Sequence, residues 1–233
     1  MLLVNNVDKL KKVMVFNPQK SYYKFVALVR AKDYKNEEVK PVLTNTEKQE
    51  VFVRQWLVDS EEALERCLPD MLAVTELFKC RLYMTLDRKS TVKTMMFVRN
   101  KMQECLDHFV MSSNASVSVR MLNKVVPSAS QTSETSDKEK RWMFDVDTKD
   151  KFVLETVKKL CGEHYLETFE TKNGYHVVAN KKFDANSRFQ VVKNYGKLKD
   201  FDDSLFNEDE RKALRESEVE VKDNSLVLVA MGN

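Results

Sequence analysis

Glycine is scarce in this chain, with 4 in 233 residues, and the scarcity excludes whole classes of site. Backbone cradles for phosphate need glycine in fixed patterns. Neither Gly-x-x-x-x-Gly-Lys-Ser/Thr nor Gly-x-Gly-x-x-Gly occurs, so a P-loop ATPase and a Rossmann dinucleotide site are excluded on their own motifs. Histidine is scarcer still. His108, His164 and His176 give hydrolases built on paired histidines little to work with. The cysteines Cys67, Cys80, Cys105 and Cys161 have no Cys-x-x-Cys spacing, which argues against zinc; three sit in helix-like apolar stripes, as reduced core thiols of a cytosolic protein do. No apolar run approaches membrane-spanning length, and charges at Asp8 and Lys9 break any signal-peptide pattern, so the expectation is a cytoplasmic protein with no membrane partner. A net charge of +3 implies no strong polyelectrolyte field. Any contact with nucleic acid must come from local basic patches.

What is present is an alternation of elements. Residues 25–29 and 51–58 read as strands, and Asp59 with Glu62 reads as a capping box for a helix over 60–78, kinked at Pro69. Leu82 to Leu86 alternates as a short strand. Val92, Met95, Met96, Arg99, Met102, Cys105, Leu106 and Phe109 follow the 3.6-residue stripe of a long amphipathic helix. Residues 127–140 hold almost nothing apolar and are expected to form a mobile, exposed loop. A strand over 142–147 leads into a helix carrying Val153, Val157, Leu160 and Cys161, then a hairpin of 165–169 and 175–178 around Lys172-Asn173-Gly174, a turn expected to need positive φ. A charged helix-prone region at 197–217 and a last strand at 225–230 close the chain. The pattern predicts an α+β protein with helices packed on one face of a palm-like sheet. It divides into an N-terminal α/β part over 1–79 and a palm-like part over 80–233, with one compact domain overall as the alternative.

Chemistry concentrates in 141–178. Arg-Trp-Met-Phe-Asp-Val-Asp (141–147) ends in two carboxylates on alternate positions, so a strand there points Asp145 and Asp147 to one face. Carboxylates held that close repel unless a cation sits between them. On that reasoning, replacing both by asparagine leaves stability unchanged or raises it. Thr-Lys-Asn-Gly-Tyr-His-Val-Val (171–178) then brings a glycine, a lysine and a histidine, groups suited to holding phosphate. Each feature has a plainer reading: Asp147 as a cap of the helix starting near Lys149, Asn173-Gly174 as a hairpin turn, His176 as a satisfied sheet histidine.

Taken together, hydrophobic-Asp-x-Asp followed by Thr-x-Asn-Gly-Tyr-His resembles the archaeo-eukaryotic primase superfamily, particularly the small primase-polymerase domains of phages and plasmids. Thr135 to Lys138 is similar to the polar loop that enters the family's first catalytic strand, and Leu82 to Leu86 with its following helix is similar to the elements before that loop. The resemblance covers roughly residues 80–180. It implies a primase-type palm with a mixed or antiparallel sheet, and two-metal nucleotidyl transfer to a 3′-hydroxyl. Asp145 and Asp147 would hold Mg²⁺ or Mn²⁺, and His176 the incoming triphosphate, assisted by Thr171, Lys172, Asn173, Gly174 and Arg188. A third carboxylate is implied, with Asp223 the best-placed candidate and Asp184, Asp200, Asp202 and Asp203 the alternatives. The implied partners are nucleoside triphosphates, single-stranded DNA or a primer-template, and a replication partner such as a helicase. A rival reading is a catalytically inactive primase-fold accessory module. Tyr22, Tyr23, Lys24, Phe25 and the Lys9/Lys11/Lys12 cluster would then bind a single strand, unless they form a charged helix and a buried strand.

Overall fold

Period-two alternation along the strands decides which side chains are covered by helices and which line the site. A computed structural model of the chain describes residues 1–17, 20–30, 33, 50–112, 115–181, 189–191, 198–201, 203–217 and 219–233. From the N-terminus run β1 (Leu2–Asn5), α1 (Leu10–Val13), β2 (Ser21–Arg30), β3 (Glu50–Val58), α2 (Glu61–Leu77), β4 (Arg81–Thr85) and β5 (Lys89–Ser90). The helical pair α3 (Thr91–Ser112) and α4 (Ala115–Ala129) follows, then β6 (Arg141–Val146), α5 (Lys151–Cys161) and the hairpin β7 (Tyr165–Glu170) and β8 (Tyr175–Asn180). The ribbon β9 (Phe189–Val191) and β10 (Leu198–Phe201), α6 (Glu208–Glu216), β11 (Glu220–Lys222) and β12 (Leu226–Gly232) complete the chain.

The fold is α+β. One antiparallel sheet runs β1-β12-β4-β2-β3, with β5 added to β2, and a second runs β11-β6-β8-β7. The last strand β12 and the mid-chain β4 thus pair within the sheet of the N-terminal strands, so a division at 79/80 cuts through that sheet.

Each sheet is two-sided. Tyr23, Phe25, Ala27, Leu82, Met84, Val227 and Val229 bury one face of the first sheet in a core with Ala63, Leu64 and Met71 of α2. Phe144, Val146, Val177, Ala179 and Val221 bury one face of the second with Val153, Val157 and Leu160 of α5 and Leu214 of α6. The alternate residues of both sheets turn toward each other and line a cleft of about 980 Å³. Helices on the outside and a cleft on the inside follow from the same pleat.

Several expectations change. Ser60, not Asp59, caps α2, its side chain accepting from the Ala63 amide, and the helix continues through Pro69. The α3 stripe does not meet the sheet: Cys105 is buried, while Val92, Met95, Met96, Met102, Leu106 and Phe109 are exposed, because α3 packs against α4. The 127–140 segment is exposed only in part: Pro127, Gln131, Ser133, Glu134 and residues 138–140 are exposed as expected, but the rest is built into the fold. It begins inside α4 and continues through a 3-10 turn at Ser133–Thr135, with Ser130, Thr135 and Ser136 buried. Hydrogen bonds replace the missing apolar contacts. The Lys89 ammonium donates to the Thr132 carbonyl and to Ser136 Oγ, both at 3.0 Å, Lys93 donates to the Ser136 carbonyl, and the Asp137 amide donates to the Arg88 carbonyl. The aromatic–basic run at 22–25 is likewise no stacking platform, since Tyr23 and Phe25 are fully buried. Lys9, Lys11 and Lys12 are engaged by Asn6, Glu65 and Glu167.

Candidate functional site

Strand register assembles the site. Glu220 of β11 pairs with Asp145 of β6, and Asp145 pairs with His176 of β8, so three neighbouring strands bring these residues to one face in a single row. Asp147, two positions beyond Asp145, stands exposed past the end of β6 and lines the same cleft. It is not a helix cap: that role belongs to Asp150, whose side chain accepts from the Phe152 amide at 2.8 Å.

A cation does bridge two carboxylates, but they are Asp145 and Glu220 rather than the expected pair of Asp145 and Asp147, and the protein itself supplies it. Lys222 Nζ donates to Asp145 Oδ2 at 2.5 Å and to Glu220 Oε2 at 2.8 Å. Burial works against that ammonium, but its hydrogen bonds to Asp145 and Glu220 outweigh it and raise its pKa. Relief of repulsion therefore no longer predicts a neutral or stabilising Asp145→Asn change, which would take one of two negative charges from beside a half-buried ammonium. Asp145, Asp147 and Glu220 line one cleft, but among the described residues no three His, Cys, Asp or Glu side chains are gathered closely enough to hold a metal ion as they stand.

His176 is 8% exposed. Its Nδ1 accepts from the Leu228 amide at 3.3 Å, which places the proton of a neutral ring on Nε2, facing Asp145 Oδ1 at 3.5 Å. Burial pushes its pKa down to about 4, against the pull of the Asp145 carboxylate and with the nearby Lys222, Arg81 and Arg30 charges adding to the depression. At neutral pH His176 is thus a neutral N–H donor held between the two sheets.

The turn joining β7 and β8 brings Thr171, Lys172 and Asn173 to the cleft wall. The Thr171 amide donates to the Gly174 carbonyl, and the Gly174 amide donates to Thr171 Oγ1, both at 2.9 Å. Gly174 is required for a reason other than the expected positive φ, which among the described glycines occurs at Gly162. A Cβ on Gly174 would stand 1.8 Å from the Val146 carbonyl oxygen and 2.8 Å from the Thr148 amide. Its backbone lies against the end of the strand that carries the acid pair.

Asp223 does not line the cleft: it is 52% exposed and paired with Lys181 at 2.9 Å. Arg188, with Asp184 and Asp202, lies outside the described residues. Among the described residues four carboxylates line the cleft; Glu50 is paired with Arg30, and the one that joins Asp145 in its row is Glu220. Its signal is the Val219-Glu220-Val221-Lys222 alternation, which repeats the apolar–acidic rhythm of 144–147 but is short and lies between a helix-prone stretch and the last strand. Lys222 belongs to the same short strand.

No protein-family model matches this chain, nor does any curated protein or solved structure compared with it. Among the described residues no helix is long and apolar enough to cross a membrane.

Proposed function

We propose that the cleft is a primase-type nucleotidyl-transfer site, acting on nucleoside triphosphates and a single-stranded or primer-template nucleic acid. The observation that supports it is the register: Glu220, Asp145 and His176 in one row across three strands, with Asp147 on the same cleft. Carboxylate oxygens are the donors a hard divalent cation prefers, in an open site that phosphates and water complete, although Asp145, Asp147 and Glu220 are not gathered around one point and would have to draw together to share the ion. Mg²⁺ or Mn²⁺ held by Asp145, Asp147 and Glu220 would lower the pKa of an attacking hydroxyl and neutralise charge on the phosphates. His176 donates its Nε2 proton to a phosphate oxygen without adding charge. Thr171, Lys172 and Asn173 supply further polar groups at the cleft wall. A helicase-type replication partner belongs to the same proposal.

A second reading has its own observation: Lys222 already neutralises Asp145 and Glu220. A primase-type fold with a permanent lysine counter-ion would bind nucleotide or a partner without catalysis. Titration with Mn²⁺ followed by primer extension separates the two. On the enzyme reading the wild type takes up Mn²⁺, and Asp145→Asn with Asp147→Asn lowers incorporation by about a hundredfold or more. Lys222→Met then tightens Mn²⁺ binding by removing a competing cation. If only Lys222→Met takes up Mn²⁺ and the wild type incorporates nothing, the inactive reading holds.

A further inference from the structure

The end of the cleft beyond the acid row is basic, and nothing in the reaction above uses it. Lys24, on β2, is 5% exposed and lines the cleft. Its ammonium donates to Ser130 Oγ at 2.8 Å and has no carboxylate partner among the described residues. Ser130 is fixed in turn by donating to the Pro127 carbonyl at 3.0 Å. An ammonium has three protons, and leaving two unmatched in a buried place is costly unless a ligand takes them. Burial accordingly lowers its pKa.

The surroundings favour an anion. Thr85, 4% exposed, accepts the Lys24 amide on Oγ1 at 3.2 Å, which leaves its hydroxyl proton to donate into the cleft. Behind this wall lies a second buried ammonium, Lys89, saturated by Thr132, Ser136 and Asn224, with buried Asp87 as its nearest acid. Lys24 and Thr85 sit two residues along their strands, roughly 7 Å, from the Val26–Tyr83–Leu228 row, with Lys24 a further two strand spacings, roughly 10 Å, across from Leu228, whose amide is hydrogen-bonded to His176.

We propose that Lys24 and Thr85, with Ser130 positioning the ammonium, form a phosphate subsite that takes the oxyanion of a nucleotide's polyphosphate or of a nucleic-acid backbone. The identity of the ligand rests on the nucleotidyl-transfer reading; the site's preference for a phosphate anion does not.

The test is calorimetric titration of the full chain with three probes: inorganic tripolyphosphate in EDTA, ATP with Mn²⁺, and a short single-stranded oligonucleotide. Lys24→Met is expected to weaken tripolyphosphate binding roughly tenfold to a hundredfold, the worth of a charged hydrogen bond. Its melting temperature should match or exceed the wild type's, because a buried charge is removed. Lys24→Arg keeps the charge and should retain most of the binding, and Lys212→Met on exposed α6 should change nothing. A parallel loss for ATP but not for the oligonucleotide assigns the subsite to the triphosphate; the reverse assigns it to the strand. Wild-type protein that binds no tripolyphosphate, or Lys24→Met that binds all three probes as the wild type does, overturns the proposal. Tripolyphosphate binding in EDTA needs no metal, so wild-type protein that binds it through Lys24 but takes up no Mn²⁺ and incorporates no nucleotide fails the nucleotidyl-transfer reading and keeps the subsite.

Discussion

His176 carries a consequence that a solvent-exposed histidine would not. Its ordinary pKa of 6.5 falls to about 4 in the folded chain, so between those values the unfolded state binds a proton that the folded state refuses. The stabilising term is therefore complete above pH 6.5 and is lost as pH falls toward 4. Its full size is on the order of 3 kcal/mol. Thermal melts across that window should show wild-type stability declining with acidity, and His176→Gln should flatten the decline. Equal pH profiles for the two proteins would mean that the ring is not held neutral between Leu228 and Asp145.

At the scale of elements, the β7–β8 turn and the end of β6 are one unit. Gly174 has no room for a side chain because the Val146 carbonyl lies where a Cβ would go. Gly174→Ala must move either the turn or the strand end bearing Asp145 and Asp147, and overpacking of this kind costs about 1–3 kcal/mol. The expected result is a lower denaturation midpoint together with weaker Mn²⁺ and nucleotide binding. A variant with wild-type stability and binding would show that the approach relaxes freely. The 130–136 stretch makes a related point. Its composition reads as a mobile loop, but two lysines from the neighbouring segment saturate its carbonyls and hydroxyls. Polar composition describes what a segment cannot bury, not what it can bond.

Across the whole molecule, the cleft exists only while the two sheets are held in place, and Asn6 is one of the braces. It is fully buried. Its Nδ2 donates to the Glu170 carbonyl of β7 at 2.9 Å and to the Leu228 carbonyl of β12 at 3.1 Å, and its Oδ1 accepts from the Glu170 amide at 2.9 Å. One side chain thus bonds both sheets. Asn6→Ala leaves buried backbone groups of both sheets unmatched and should cost about 2–4 kcal/mol by chemical denaturation. Because Leu228 also bonds His176, nucleotide affinity should fall as well. A loss below about 0.5 kcal/mol would mean that water replaces the amide at no penalty.

The linear chain determined what local chemistry can decide. Alternation placed a strand at 142–147, where β6 runs from Arg141 to Val146, and put Asp145 and Asp147 on one side, and the Asn-Gly pair marked the hairpin whose β8 carries His176. These features depend on neighbours two to four residues apart, so their pattern survives in one dimension. Partnership over long range did not. Asp145 meets Lys222 across 77 positions and His176 meets Leu228 across 52. Which lysine bridges the acids, which carboxylate joins the row, and that Lys24 is a buried cation with no acid beside it among the described residues follow from sheet register and from how two sheets face each other. Register is a property of paired strands, and no single strand contains it.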